Sequence, residues 1–214
     1  MSSKLSCALH ALPLMAILRG LEPSRAAAIA KDLVAAGFTA IEVPLNGAGA
    51  TDAISIVKAS VPEHVVVGAG TVLSVADVNV ARHAGAEFLV SPNLNADVMR
   101  AGNASGLAMM PGVFTPSEAF AALELGAFAL KLFPADALGT AGLKALRSVL
   151  PKGQALVYPV SGIDETSFAT WAAAGADGFG VGSSLFKPSY SDNDIAERAR
   201  RMVPACRNLL RIKT

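Results

Sequence analysis

Aromatic side chains are scarce in this 214-residue chain: nine Phe, two Tyr and one Trp make up 6% of it. Its core must therefore be built from small and branched aliphatic residues in tight layers, and no aromatic-basic platform for stacking nucleic-acid bases is present. Charge is also thin. Asp, Glu, Lys and Arg amount to 16%, and 18 basic against 17 acidic residues leave a formal net charge of +1, so the positive field of a nucleic-acid binder is missing. Two cysteines near opposite ends, Cys7 and Cys206, make no disulfide framework and point to a reducing, cytoplasmic setting. His10, His64 and His83 form no HxH or HExxH pattern and no carboxylate cluster accompanies them, so neither a metal nor another cofactor is expected. Glycines and turns interrupt every long apolar stretch, which argues against a membrane span. The opening CALHALPLMAIL imitates a secretory leader, but His10, Pro13 and the lack of a small-residue cleavage site speak against one.

What remains is 52% hydrophobic, with alanine the commonest residue and 19 glycines. That composition excludes disorder, and the length suits one domain spanning residues 1–214. So few charges on a chain this size suggest that part of its surface is covered by partner subunits.

One signature recurs. An Ala-rich helical pattern ends in glycine and an apolar strand follows: AAGFTAIEV at Gly37, HAGAEFLVSP at Gly85, ELGAFALKLF at Gly126 and AAGADGFGVG at Gly175. Each interval is close to two strand–helix units. With the strands between them, the pattern predicts strands at 13–18, 38–43, 65–68, 87–90, 106–109, 128–132, 155–160 and 177–181. Helices are predicted at 22–36, 50–60, 74–84, 95–102, 116–125, 140–149, 165–174 and 192–203. Ser74 before Asp77, and Thr115 before Pro116 and Glu118, mark helix starts. Eight alternations without a compositional break favour a (β/α)₈ TIM barrel of the α/β class, with an open doubly wound sheet as the alternative. The Arg-rich end, with Arg198, Arg200, Arg201, Arg207, Arg211 and Lys213, reads as a solvated or subunit-facing helix.

Polar residues that break apolar strands carry the chemistry. Lys131, five residues beyond Gly126 in AFALKLFPAD, is either ion-paired or an amine whose surroundings prepare it for a Schiff base. Glu42 holds the same place after Gly37, as a structural carboxylate or as an acid/base beside Lys131. Arg19 ends the first strand and could grip a carboxylate with two hydrogen bonds. Val160-Ser161-Gly162 and Gly180-Val181-Gly182-Ser183-Ser184 follow the last two strands, where backbone N–H groups of a barrel often cradle phosphate. Thr71 follows the third strand, Pro92 the fourth and Pro111 the fifth, and Phe133 is expected over the site mouth.

AILRG with Arg19, AIEVPLN with Glu42, GAGTVL with Thr71, VSPN with Pro92, MPG with Pro111, and ALKLFP with Lys131 and Phe133 occur in order along nearly the whole chain. In these motifs the chain resembles the 2-keto-3-deoxy-6-phosphogluconate/galactonate aldolase family. The resemblance implies a (β/α)₈ barrel assembled as a homotrimer and a metal-independent class I aldolase of sugar-acid catabolism. It implies that Lys131 forms the Schiff base and that Glu42 transfers protons. Arg19, Thr71 and Pro92 would surround the pyruvate portion, and Gly162, Gly182 and Ser183 would bind phosphate. Ser161 stands where family members commonly have a first glycine. Asn46 and Val160, in PLN and YPV, are similar to the galactonate-type pattern. The expected reaction is reversible cleavage of 2-dehydro-3-deoxy-6-phosphogalactonate to pyruvate and D-glyceraldehyde 3-phosphate, with cleavage of the gluconate epimer or of both epimers as the alternative and a non-catalytic phosphosugar-binding barrel as a distant one.

Overall fold

The glycines closing the recurring helical pattern all have positive φ: 105° at Gly37, 91° at Gly85, 78° at Gly126 and 107° at Gly175. At each the chain leaves its helix through the left-handed region, where a Cβ would be strained, and enters the next strand. In the computed structural model, which describes residues 4–212 apart from 152 and 154, with side chains through 209, the elements alternate. The first half holds α1 (Lys4–Ala11), β1 (Leu14–Ile17), α2 (Pro23–Ala36), β2 (Ala40–Pro44), α3 (Ala50–Ser60), β3 (Val66–Gly70), α4 (Val75–His83), β4 (Phe88–Val90) and α5 (Ala96–Ala104). The second holds β5 (Ala108–Met110), β6 (Gly112–Val113), α6 (Pro116–Glu124), β7 (Leu130–Leu132), α7 (Ala135–Val149), β8 (Val157–Pro159), α8 (Phe168–Ala173), β9 (Phe179–Val181) and α9 (Asp192–Ile212).

Strand pairing is parallel, in the order β5-β4-β3-β2-β1-β9 and, separately, β6-β7-β8. The two sheets are arcs of one barrel. β5 and β6 are a single strand interrupted at Pro111, which has no N–H to give the ladder, while its carbonyl accepts from Lys131 N at 2.9 Å. A bridge between Val160 and Gly180 joins the end of β8 to β9. This is the curled parallel sheet of a (β/α)₈ barrel, with its fifth strand divided.

Ser74 and Thr115 begin α4 and α6 through reciprocal capping boxes with Asp77 and Glu118, as their spacing predicts. Three elements differ from the sequence reading. α7 starts at Ala135 rather than 140, and Gly139, at φ 71°, breaks it near the predicted start. α9 runs through Pro204 to Ile212 instead of ending at 203. Arg201 in it pairs with Glu165 at 3.1 Å, whereas Lys213 and the Arg211 side chain lie outside the described residues. The third is α1, which sequence patterning did not yield. Leu5, Ala8 and Leu9 bury one face of it against Met15, Phe88 and Tyr158, closing the barrel at the N-terminal ends of the strands. The larger apolar cluster lies between the strands and the outer helices, for example at Ile29 and Leu33 of α2 and Ile54 and Val57 of α3. The strands' C-terminal ends are left to carry the site. Among the described residues no helix is long and apolar enough to cross a membrane.

Candidate active site

Glu42 on β2 and Lys131 on β7 are ionisable residues buried inside the barrel, exposed by 0% and 3%. Their strands place them there by register. Glu42 lies beside Ile17 of β1 and Gly68 of β3, and Lys131 beside Gly112 of β6 and Tyr158 of β8. The absence of a side chain at Gly70 makes room for the carboxyl: a Cβ there would collide with Glu42 Oε1. The acid is thus seated against the backbone just before Thr71. Neither carboxyl oxygen of Glu42 has a hydrogen-bond partner among the described residues, an omission that costs about 1–3 kcal/mol per buried polar group.

Burial dominates the electrostatics of both groups. It pushes the Glu42 carboxyl above its ordinary value, against the opposing pull of Lys131 and Arg19. It draws the Lys131 amine below its ordinary value; Glu42 opposes that shift and the positive Arg19 adds to it. Each change favours the uncharged form. These shifts run in the direction that suits an amine acting as a nucleophile and a neighbouring carboxyl exchanging a proton. Lys131 Nζ also lies 5.0 Å from the Phe133 ring centre.

A cavity of about 260 Å³ opens beside Lys131. Lys131 and Val160 line it from buried positions at its inner end and Phe133 from a half-buried one, whereas Arg19, Ser161, Gly162, Gly182 and Ser183 line it from partly or fully exposed positions. The structure thus gathers eight of the expected site residues in one cavity wall. Glu42, Thr71 and Pro92 are not on that wall. Glu42 is reached electrostatically, and Thr71 and Pro92 follow β3 and β4 on the same end of the barrel. Pro92 can approach because Gly112 has no side chain; a Cβ there would collide with the Pro92 carbonyl. Asn46 is exposed on the loop after β2 and is not among the residues lining the cavity.

The outer loops are built for backbone contacts. Ser161 and Gly162 have consecutive positive φ values, 91° and 67°, which gathers successive N–H groups in the manner of an anion nest. For Ser161 this is a conformation that strains any residue with a Cβ. Thr71, at φ 57°, is the other residue so held. Ser184 Oγ donates to Ile163 O at 2.6 Å and ties the two loops together. Ser184, which the sequence reading takes with residues 180–183 as one glycine-rich segment, lines the cavity too, and so do Ile17, Phe186 and Lys187, which that reading does not single out. For Phe186 and Lys187 the one sequence signal is proximity to the glycines at the end of β9; Ile17 is brought there by β1 lying beside β9. Among the described residues no group of three or more His, Cys, Asp or Glu could hold a metal ion.

A family model described as KDPG and KHG aldolase matches residues 5–201. The chain is 46% identical over 187 residues to a probable 2-dehydro-3-deoxy-6-phosphogalactonate aldolase of Rhizobium meliloti, covering 87% of this chain and 88% of that one. A native KDPGal structure superposes with a TM-score of 0.90 at 38% identity, over 94% of this chain and 97% of its own. A KDPG aldolase from Legionella pneumophila, with pyruvate captured as a covalent carbinolamine, superposes with a TM-score of 0.81 at 27% identity, over 95% and 96% of the two chains.

Proposed function

The chain belongs to the KDPG and KHG aldolase family, and from that premise we propose that its substrate is 2-dehydro-3-deoxy-6-phosphogalactonate, cleaved reversibly to pyruvate and D-glyceraldehyde 3-phosphate. The enzyme is a class I aldolase acting through lysine Schiff-base chemistry on a phosphorylated sugar acid of the KDPG/KDPGal type. The observation that carries the residue assignment is the buried Lys131 facing a site whose buried carboxyl, Glu42, has no protein partner.

The neutral Lys131 amine attacks the C2 ketone, and loss of water gives an iminium. That cation draws electrons from the C3–C4 bond as it breaks, while Glu42, through a water, takes the proton of the C4 hydroxyl. The aldehyde departs, Glu42 returns a proton to C3 of the enamine, and hydrolysis frees pyruvate and Lys131. Arg19 holds the substrate carboxylate; it makes no ion pair among the described residues, leaving its donors to a ligand. Thr71 and Pro92 bound the pyruvate end, with Phe133 beside the amine. The backbone of Ser161, Gly162 and Gly182, with Ser183, holds the phosphate, so that binding far from the reacting bond orients it.

The galactonate epimer is supported by Val160, an apolar residue on the cavity wall that offers no partner to a C4 hydroxyl turned toward it; leaving a buried hydroxyl unpaired is expensive. Similarity to aldolases of the galactonate type extends over 87% and 92% of this chain, further than the 73% and 72% reached by two of the gluconate type. Side-by-side kinetics with the two epimers test this reading: a larger kcat/KM for the galactonate form is expected, and equal values or preference for the gluconate form would overturn it. The homotrimer is supported by apolar side chains left exposed beside the site's loops, Leu73 at 50%, Val75 at 45% and Phe114 at 39%; a measured mass in solution checks it. A cytoplasmic setting is supported by the sequence's two cysteines, too few for a disulfide framework.

A further inference from the structure

We propose that Lys187, a residue of the turn after β9, is the counter-cation of the substrate's phosphate and sets how strongly the enzyme prefers phosphorylated substrates. The inference rests on the phosphate reading of the loops after β8 and β9. Those loops supply N–H groups and hydroxyls, which match the shape of a phosphate but carry no full positive charge. A dianion entering them would still want a cation.

Two basic side chains besides Lys131 line the cavity, Arg19 and Lys187, and they serve different ends of it. Arg19 acts electrostatically on both Glu42 and Lys131 and so belongs to the carbonyl end. Lys187 influences neither group and shares its stretch of wall with Ser183 and Ser184. It is exposed, and among the described residues no carboxylate forms an ion pair with it. Its Nζ instead lies 5.3 Å from the centre of the Tyr190 ring, an exposed contact weak enough for an anion to displace.

The turn bearing Lys187 is held from two sides. Arg25 on α2 donates to the carbonyls of Pro188 and Tyr190 at 2.8 and 2.7 Å and pairs with Asp192 at 2.6 Å. From α9, Arg198 stacks 4.4 Å over the same Tyr190 ring and donates to Ser184 O at 2.9 Å. Arg25 and Arg198 are occupied with backbone carbonyls, which leaves Lys187 as the mobile charge on a fixed base. A lysine suits that task, being a compact charge on a flexible stem.

Lys187→Met, Lys187→Arg and the wild type are to be compared with the phosphorylated substrate, with its unphosphorylated counterpart, and with inorganic phosphate as a competing ligand. For Lys187→Met the expected result is a roughly five- to tenfold rise in KM for the phosphorylated substrate and in the inhibition constant of phosphate. The KM change should exceed any change in kcat, the unphosphorylated substrate should be handled as by the wild type, and Lys187→Arg should restore phosphate affinity. Salt should weaken the wild type more than Lys187→Met. Unchanged phosphate inhibition in Lys187→Met, with the wild type still favouring phosphorylated substrate, would overturn the role of Lys187 alone. A wild type indifferent to the substrate phosphate would overturn the phosphate reading of both loops.

Discussion

The two ends of the cavity solve opposite problems. At the inner end, Glu42 and Lys131 are buried side chains on regular strands, and neither carboxyl oxygen of Glu42 has a hydrogen-bond partner among the described residues. At the outer end, Ser161, Gly162, Gly182 and Ser183, the proposed phosphate contacts, lie on turns partly or fully open to solvent. Chemistry demands perturbed protonation, which burial chiefly supplies here. Recognition of a dianion demands many donors that can be rehydrated when product leaves, which exposed turns provide. The same barrel rim meets both demands because its strands are rigid and its loops are not held to the sheet pattern.

If that division holds, damage at the inner end should fall on turnover. Lys131→Met should lower kcat by about 10⁴-fold or more, as loss of a nucleophile does, and abolish trapping of pyruvate by borohydride. Glu42→Gln should lower kcat by about 10²- to 10⁴-fold with trapping at least partly retained; a KM effect alone in either variant would break the comparison. Gly70→Ala would drive a methyl into the Glu42 carboxyl, and about 10²-fold in kcat is the expected penalty for a displaced acid, with thermal denaturation confirming that the fold survives.

Burial of the amine also predicts a pH-dependent stability. Because Lys131 is shifted below its ordinary 10.5 in the fold, the unfolded chain binds more protons between the lowered value and 10.5, and wild-type stability rises with pH across that window. Lys131→Met lacks this group. It should be more stable than the wild type near neutrality, by a margin that shrinks as urea denaturation is repeated from about pH 8 to about pH 10. A constant margin would sever the link between burial and protonation. The smallest effect lies at the outer end: Ser161→Gly relieves a side chain at φ 91° and should stabilise the fold by about 1 kcal/mol, or raise Tm by about 2–4 °C.

How far the sequence reveals this division depends on how local each signal is. Lys131 and Glu42 are legible because a charge in an apolar strand violates its surroundings, and the helix-ending glycines are legible because few other residues tolerate their φ. The split of the fifth strand is less so, since Pro111 interrupts pairing without ending the strand's course. α1 hides because a short Leu/Ala-rich segment before a proline looks like a leader until the barrel beneath it exists. Lys187 hides for a different reason. An exposed lysine in a turn carries no local oddity, and one clamp on that turn comes from Arg25, 167 residues away from Asp192 in sequence.

By plugging the barrel's base with Leu5, Ala8 and Leu9, α1 closes the end of the barrel opposite the cavity that Lys131 lines. In the proposed reaction, substrate and products then trade with solvent through the mouth of that cavity, past the turns after β8 and β9. A short stopper at one end of the barrel thereby decides which end faces the traffic.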